Sequence, residues 1–116
     1  MLRLIYKAFR KIINEDYAVI IKEKLNASLT ASKLGNLSNT SYFLTESTTK
    51  LELIKPYFEE KEKERIAIKI KDIKGIVATL DRMFFDRTYT KLIESDQNML
   101  NSTIFDIIAI ISKKYP

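Results

Sequence analysis

The chain has 116 residues, which is enough for one domain with a single core. Apolar residues make up 46% and charged residues 30%, the balance of a folded globular protein and not of a disordered chain. Cysteine and histidine are absent, which excludes disulfides, thiolate metal sites and the serine–histidine–aspartate arrangement. We therefore expect a binding protein, not an enzyme, with no cofactor and no metal site.

The positive charge is concentrated at the start of the chain. Twenty bases and 15 acids give a net charge of +5, but residues 1–13 hold four of the bases and no acid. The rest of the chain is therefore nearly neutral. No apolar run is long enough to cross a bilayer, and the alternation of charged and apolar residues at the start does not fit a signal peptide. We expect a cytoplasmic, intracellular protein.

The first predicted element is an amphipathic helix over residues 2–13. One face carries apolar side chains, namely Leu2, Ile5, Ala8, Phe9, Ile12 and Ile13, and the bases fall mainly on the other. Residues 14–16 resemble a break before a second helical stretch, and the pattern leaves open whether the two are one helix. The favoured interpretation packs the apolar face on the domain or a second chain; the alternatives place the bases on DNA phosphates or the segment on an anionic membrane.

Two short helices follow. Residues 26–28 are turn-like, residues 29–37 show a short helical pattern, and residues 38–40 form a polar break. From Ser41 the apolar positions recur at spacings of four and three, which predicts a helix that ends at Lys55–Pro56. Two short helices joined by a few polar residues give the helix-turn-helix outline.

Residues 57–71 allow two interpretations. Ile66, Ile68 and Ile70 alternate with other residues at period two, which favours a β-hairpin. Ile66, Ile70 and the apolar residues after them also fit a helical period. We favour the hairpin, followed by a helix that begins at Asp72.

The last predicted element is a helix that begins at Asn98 or Ser102 and follows a polar linker. Its apolar stripe is wider than a lone terminal helix needs, which predicts a dimerisation surface. The stripe consists of Leu100, Ile104, Ile107, Ile108 and Ile111.

The run from Leu29 to Tyr42 resembles the helix-turn-helix of small archaeal winged-helix regulators, including those of archaeal viruses and plasmids. The matching residues are Thr30, Ser32, Lys33, Leu34, Ser38, Asn39, Ser41 and Tyr42. Residues 50–54, 59–64 and 72–75 stand where these regulators have a leucine-rich helix end, a charged wing and a helix start. The resemblance covers about residues 17–85.

The resemblance implies a mainly α protein with a small β-hairpin wing: a winged helix-turn-helix with extra N- and C-terminal helices. It divides the chain into a basic helix at 1–13, the winged domain at 14–85, and a linker with the dimerisation helix at 86–116. The implied function is sequence-specific binding of double-stranded DNA by a homodimer that regulates transcription. The DNA-binding candidates are Ser32, Lys33, Ser41, Tyr42, Thr45, Glu46, Thr49, Lys50, Lys61, Lys63 and Arg65.

Two further interpretations remain open, although a membrane is not the partner we favour. In the first, an all-helical assembly protein docks its first and last helices on partners, and residues 57–71 are helical. In the second, a membrane-surface adaptor is held by anionic lipids through residues 1–13.

Overall fold

The computed structural model describes residues 2–86 and 91–116. They form α1 (Leu2–Lys33), α2 (Leu37–Ile54), a 3₁₀ turn (Lys55–Tyr57), α3 (Glu60–Asp86) and α4 (Glu94–Lys114). Within these two ranges no residue lies in a strand. The predicted winged helix is therefore wrong, because residues 57–71, for which the sequence predicts the hairpin of the wing, form no strand.

The four helices form an antiparallel bundle in which α1 and α3 each contact both α2 and α4. Three polar contacts fix the register between neighbours: Ser41 with Asp81 at 2.9 Å, Lys69 with Asp106 at 2.9 Å, and Gln97 with Ser32 at 3.1 Å. In each pair, a residue nearer the start of one helix meets a residue nearer the end of the other. Successive helices therefore run in opposite directions.

The core lies along the centre of this bundle and draws on all four helices. Its largest fully buried side chains are Ile21, Leu25, Leu44, Leu51, Ile54, Ile66, Ile73, Leu80, Leu100, Ile104, Ile107 and Ile111. Burying each of them contributes roughly 1.5–3 kcal/mol before the loss of conformational entropy is counted.

A tight turn at residues 34–36 separates α1 from α2. Gly35 has a positive φ of 75°, and the amide of Asn36 donates to the carbonyl of Ala31 at 2.9 Å, as in a Schellman motif. The Asn36 side chain then accepts from the amide of Asn39 at 3.0 Å and caps α2. The turns predicted at 26–28 and 38–40 are wrong: α1 is one continuous helix through the first, and α2 already includes the second.

Residues 60–71 form the start of α3 and not a hairpin. Ile66 and Ile70 are fully or nearly fully buried, whereas Ile68 is 59% exposed, which is the helical period and not the alternating one. The charged run is consistent with this, because Lys63 pairs with Glu60 at 3.0 Å and Arg65 with Glu62 at 3.6 Å, both at helical i,i+3 spacing. Acids in the first turn also suit the helix dipole.

The predicted final helix is confirmed as α4, but it begins earlier, at Glu94. Part of the linker predicted before it falls on residues 87–90, which lie outside the described residues.

Candidate functional site

The N-terminal part of α1 extends beyond the other helices. At 1.5 Å per residue α1 is about 48 Å long, whereas its antiparallel neighbour α2 is about 27 Å. Their relative position is marked by Arg10, whose guanidinium carbon lies 4.6 Å from the centre of the Tyr57 ring, just past the end of α2. Asn14 is the first buried residue of α1. We call residues 2–13 the overhang.

One side of the overhang is apolar and lies in the open. It consists of the predicted apolar face, Leu2, Ile5, Ala8, Phe9, Ile12 and Ile13, and every one of these residues is exposed. The exposed fraction reaches 84% at Leu2 and 62% at Phe9. We call this surface the outer face. The described chain does not cover it, so it does not pack against its own domain, and a contiguous apolar surface of this kind marks an interaction site.

The basic side of the overhang faces the end of the bundle. Arg3, Lys7 and Arg10 continue, at spacings of four and three, the same stripe of α1 that packs into the bundle from Asn14 onward. Where the neighbouring helices end, this stripe changes from core side chains to bases. The apolar and basic sides of the overhang are therefore opposed, with the bundle on the basic side.

A cleft of about 670 Å³ lies between the overhang and the end of the bundle. Five cations line it: Arg3, Lys7, Arg10, Lys11 and Lys114. The remaining wall residues are Asn14 and the three tyrosines at positions 6, 57 and 115, and no acidic side chain lines the cleft. We call it the basic cleft.

Aromatic rings hold two of these cations in place. Arg10 stacks over the ring of Tyr57, and the Nζ of Lys114 lies 5.6 Å from the ring centre of Phe58 and 5.7 Å from that of Tyr115. Rings stabilise a cation without neutralising its charge. Both side chains therefore keep their positive charge for a ligand.

Acids stand beside the basic cleft: Glu15 near Lys11, and Glu59 and Glu62 in a neighbouring hollow that Lys114 also lines. Glu15 approaches Lys11 at 3.9 Å, a long contact between exposed side chains that neutralises little. At the inner end, burial raises the pKa of the Tyr115 phenol above its ordinary value, and a hydrogen bond with Asn14 acts in the opposite direction. Tyr115 is therefore neutral at physiological pH, and the cleft stays positive.

Six of the predicted DNA-binding residues lie together on α2, but their polar groups already have partners within the protein. The hydroxyl groups of Ser41, Thr45 and Thr49 donate to Asp81 and to carbonyl groups of α2, each at 2.9 Å. The exposed ring of Tyr42 lies 5.9 Å from the Nζ of Lys24. The remaining two, Glu46 and Lys50, pair with each other.

The pair of Lys50 with Glu46 closes at 3.0 Å. The hydrogen bond and the charge of Lys50 hold the pKa of the Glu46 carboxyl below its ordinary value, with a smaller contribution from Lys24. The charge of Lys50 is thus partly compensated. A role for this face in reading DNA stays a prediction.

The other DNA-binding candidates lie apart from this face. Ser32 is buried between α1 and α4, where it accepts a hydrogen bond from Gln97, whereas Lys33 is exposed at the end of α1. Lys61, Lys63 and Arg65 lie on the first turns of α3, among glutamates. The structure does not bring these residues together with the α2 face into one surface.

The predicted dimerisation stripe on α4 is covered by its own chain. Leu100, Ile104, Ile107 and Ile111 are fully buried in the bundle, and Ile108 packs against the core. The longer α3 covers the surface that a winged domain would have left open. The stripe therefore needs no second copy, and the homodimer stays a prediction.

Sequence reasoning identified the bases of the overhang but not the residues that complete the basic cleft. The polar residues 14–16 resemble a break and leave one helix or two open, whereas the place of Asn14 in a stripe with Ala18, Ile21 and Leu25 indicates a buried polar residue within one helix. Tyr57 and Tyr115 are far apart in sequence, and only the antiparallel packing brings them to Asn14.

Within residues 2–86 and 91–116 no three histidine, cysteine, aspartate or glutamate side chains are placed to hold a metal ion. None of the helices described there is long and apolar enough to cross a membrane. No known protein family matches the sequence, and no curated protein or solved structure gives a significant match.

Proposed function

We propose that the protein is an all-helical adaptor that binds anionic membrane surfaces through the outer face of its overhang. The observation that carries this proposal is the exposure of five large apolar side chains on one side of the overhang, a helical segment whose only charged side chains are basic. Helices of this kind lie in the membrane interface, with the apolar side buried about 5–10 Å below the headgroups.

The direction of the outer face favours a membrane over a groove on a protein. The bundle lies on the opposite side of α1, so a flat surface can approach the overhang along its full length of about 18 Å. Farther along α1, the exposed acids Asp16 and Glu23 project on the same side. Acids are repelled by anionic lipids, so the contact ends where the overhang ends.

The charge of the overhang favours anionic lipids. Its four bases stand about one helix diameter, roughly 10 Å, from a membrane touching the outer face, which is about one Debye length at 0.1 M salt. They attract the protein to the surface without being buried in it. Binding therefore needs both the apolar face and a negative surface, and it weakens as salt rises.

The test is flotation of the full chain with vesicles of phosphatidylcholine alone or with phosphatidylglycerol added. We expect retention by the anionic vesicles only. Replacing Phe9→Gln and Ile12→Gln together should lower the partition coefficient at least about tenfold, because each side chain contributes more than about 1 kcal/mol on burial. Both residues are exposed in the free protein, so helical circular dichroism should stay the same.

The matched control replaces two large apolar side chains elsewhere that are more exposed than Phe9 and Ile12, namely Phe85→Gln and Phe105→Gln, at 84% and 74% exposed. This variant should bind vesicles as the parent does. Equal loss in both variants would show non-specific adhesion and overturn the proposal. Failure of anionic vesicles to retain the parent would do the same, and a fall in solution mass on replacing Phe9 would assign the outer face to a second copy.

A further inference from the structure

The basic cleft combines charge, shape and unsatisfied hydrogen-bonding groups in a way that the outer face does not. Its volume lies within the range of small-molecule binding sites, and its lining holds five cations and no acidic side chain. Like charges this close repel one another unless an anion lies between them. The cleft is therefore complementary to a compact anion of high charge.

Two polar atoms in the wall of the cleft have no hydrogen-bond partner: Nε of Arg10, a donor, and Oδ1 of Asn14, an acceptor, whereas the amide nitrogen of Asn14 is left to make the hydrogen bond with Tyr115. They lie one helical turn apart on α1, and Asn14 is only 3% exposed. Such orphaned groups cost free energy, and few exist in native proteins without a reason. Neighbouring atoms cover both of them in the free protein, so binding through these atoms requires both side chains to rotate toward the cleft.

We propose that the basic cleft binds a soluble phosphate ester that carries a hydroxyl group beside the phosphate, as sugar phosphates do. The phosphate oxygens accept from Arg10 and the surrounding lysines, since a guanidinium matches phosphate geometry. The hydroxyl group donates to Oδ1 of Asn14, which a bare anion cannot do. Both orphaned atoms gain a partner from one ligand.

The geometry favours a soluble ligand over the headgroup of a lipid. The cleft opens on the side of the overhang opposite to the outer face, so a helix lying on a membrane turns the cleft away from it. Among the residues lining the cleft, none belongs to the outer face. The two surfaces can therefore be occupied at the same time, although both draw on the charge of the same four bases, and this inference does not rest on the membrane proposal.

The experiment is an NMR titration of the full chain with ribose 5-phosphate, inorganic phosphate and ribose at constant ionic strength. We expect ribose 5-phosphate to bind at least about tenfold more tightly than inorganic phosphate, ribose to show no binding, and the shifted amides to surround Arg10 and Asn14. Equal affinity for the two phosphates, or shifts confined to the lysines of α3, would overturn the proposal.

Two variants separate recognition from bulk charge. Asn14→Leu should reduce the affinity for ribose 5-phosphate to that for inorganic phosphate and leave the latter unchanged. Arg10→Lys keeps the charge but loses the planar fork, and it should weaken both phosphates about tenfold. If Asn14→Leu leaves the preference for ribose 5-phosphate intact, the role assigned to Asn14 is wrong.

A competition experiment decides the source of the phosphate. Bound ribose 5-phosphate neutralises part of the charge of the four overhang bases, so it should weaken binding to phosphatidylglycerol vesicles without abolishing it, and the Phe9→Gln, Ile12→Gln variant should bind ribose 5-phosphate as the parent does. Complete displacement from the vesicles would assign the cleft to a lipid headgroup and overturn the soluble ligand. Failure of vesicle binding alone leaves the titration result standing, so the two proposals fail separately.

Discussion

Asn14 occupies a position in α1 that a core would ordinarily fill with an apolar side chain. It belongs to the stripe that continues with Ala18 and Ile21, yet its Oδ1 has no partner. A buried acceptor without a donor costs about 1–3 kcal/mol. A residue that breaks the local pattern at such a cost is typical of a binding position.

Asn14→Leu removes an unpaired buried acceptor and also the hydrogen bond between Asn14 and Tyr115, so its two effects on stability oppose each other. We expect the free energy of unfolding to change by less than about 1 kcal/mol, measured by thermal and urea denaturation, while the affinity for ribose 5-phosphate falls. Asn26→Leu, at an exposed position of the same helix, should change stability little. A clear loss of stability in Asn14→Leu would show that the residue holds the fold together.

The pKa of the Glu46 carboxyl tests whether its ion pair with Lys50 persists in solution. Removing the cation by Lys50→Met should raise the pKa of Glu46 toward its ordinary value, because Lys50 supplies both main causes of the lowering. In the parent, the pair stabilises the fold above the ordinary carboxyl pKa, and that contribution is lost as pH falls through the lowered pKa. Carboxyl NMR titration measures the midpoint.

The matched control is Lys74→Met, which removes the partner of Glu52 at 2.9 Å and should leave the pKa of Glu46 unchanged. If the midpoint of Glu46 stays the same in the Lys50 variant, the ion pair does not persist in solution.

At the level of elements, α3 decides the fold class. A run of isoleucines at every second position satisfies the alternation of a strand, but Ile66 and Ile70 also satisfy the helical period, and the burial of Ile73, Ile76 and Leu80 extends that period over about four turns. The strand-like alternation involves only three isoleucines, over five positions. The longer helical pattern prevails because a helix buries the five residues that share its period, from Ile66 to Leu80, against one core.

Single alanine substitutions in α3 distinguish the two structures. Ile66→Ala should destabilise the protein by about 2–5 kcal/mol, whereas Ile68→Ala, at a 59% exposed site, should change the free energy of unfolding by less than about 0.5 kcal/mol. A hairpin would place both side chains on one face, and the two losses would be similar. Urea denaturation measures both.

Periodicity predicted the amphipathic start of α1, the helix from Ser41 and the final helix. It failed at helix ends. Residues 26–28 are turn-like in composition, but Ser28 is buried and its hydroxyl group donates to the carbonyl of Leu25 at 2.6 Å, so α1 continues.

The basic cleft could be predicted only in part. Four of its five cations lie close together in the sequence, but the fifth, Lys114, and Tyr57 join them only through packing.

The whole molecule is elongated. Its Cα radius of gyration is 15.5 Å, against about 13 Å for a compact chain of this length, and its extents are 59 × 23 × 20 Å. The overhang adds to the long axis, because it extends past the end of α2 and each of residues 2–9 is exposed.

X-ray scattering and sedimentation test the association state. Because α4 is covered within one chain, we expect a mass of 13.5 kDa and a radius of gyration near 15.5 Å at low concentration. Twice that mass would support the predicted homodimer instead.

The most direct test of the membrane proposal uses tryptophan, which the sequence lacks. A single Phe9→Trp substitution places a fluorescent side chain on the outer face, and Phe105→Trp places one at a similarly exposed site on α4. On addition of phosphatidylglycerol vesicles, the emission of the first should shift to shorter wavelength and become protected from an aqueous quencher, while the second stays unchanged. No shift at position 9, or equal shifts at both positions, would contradict membrane binding through the outer face of the overhang.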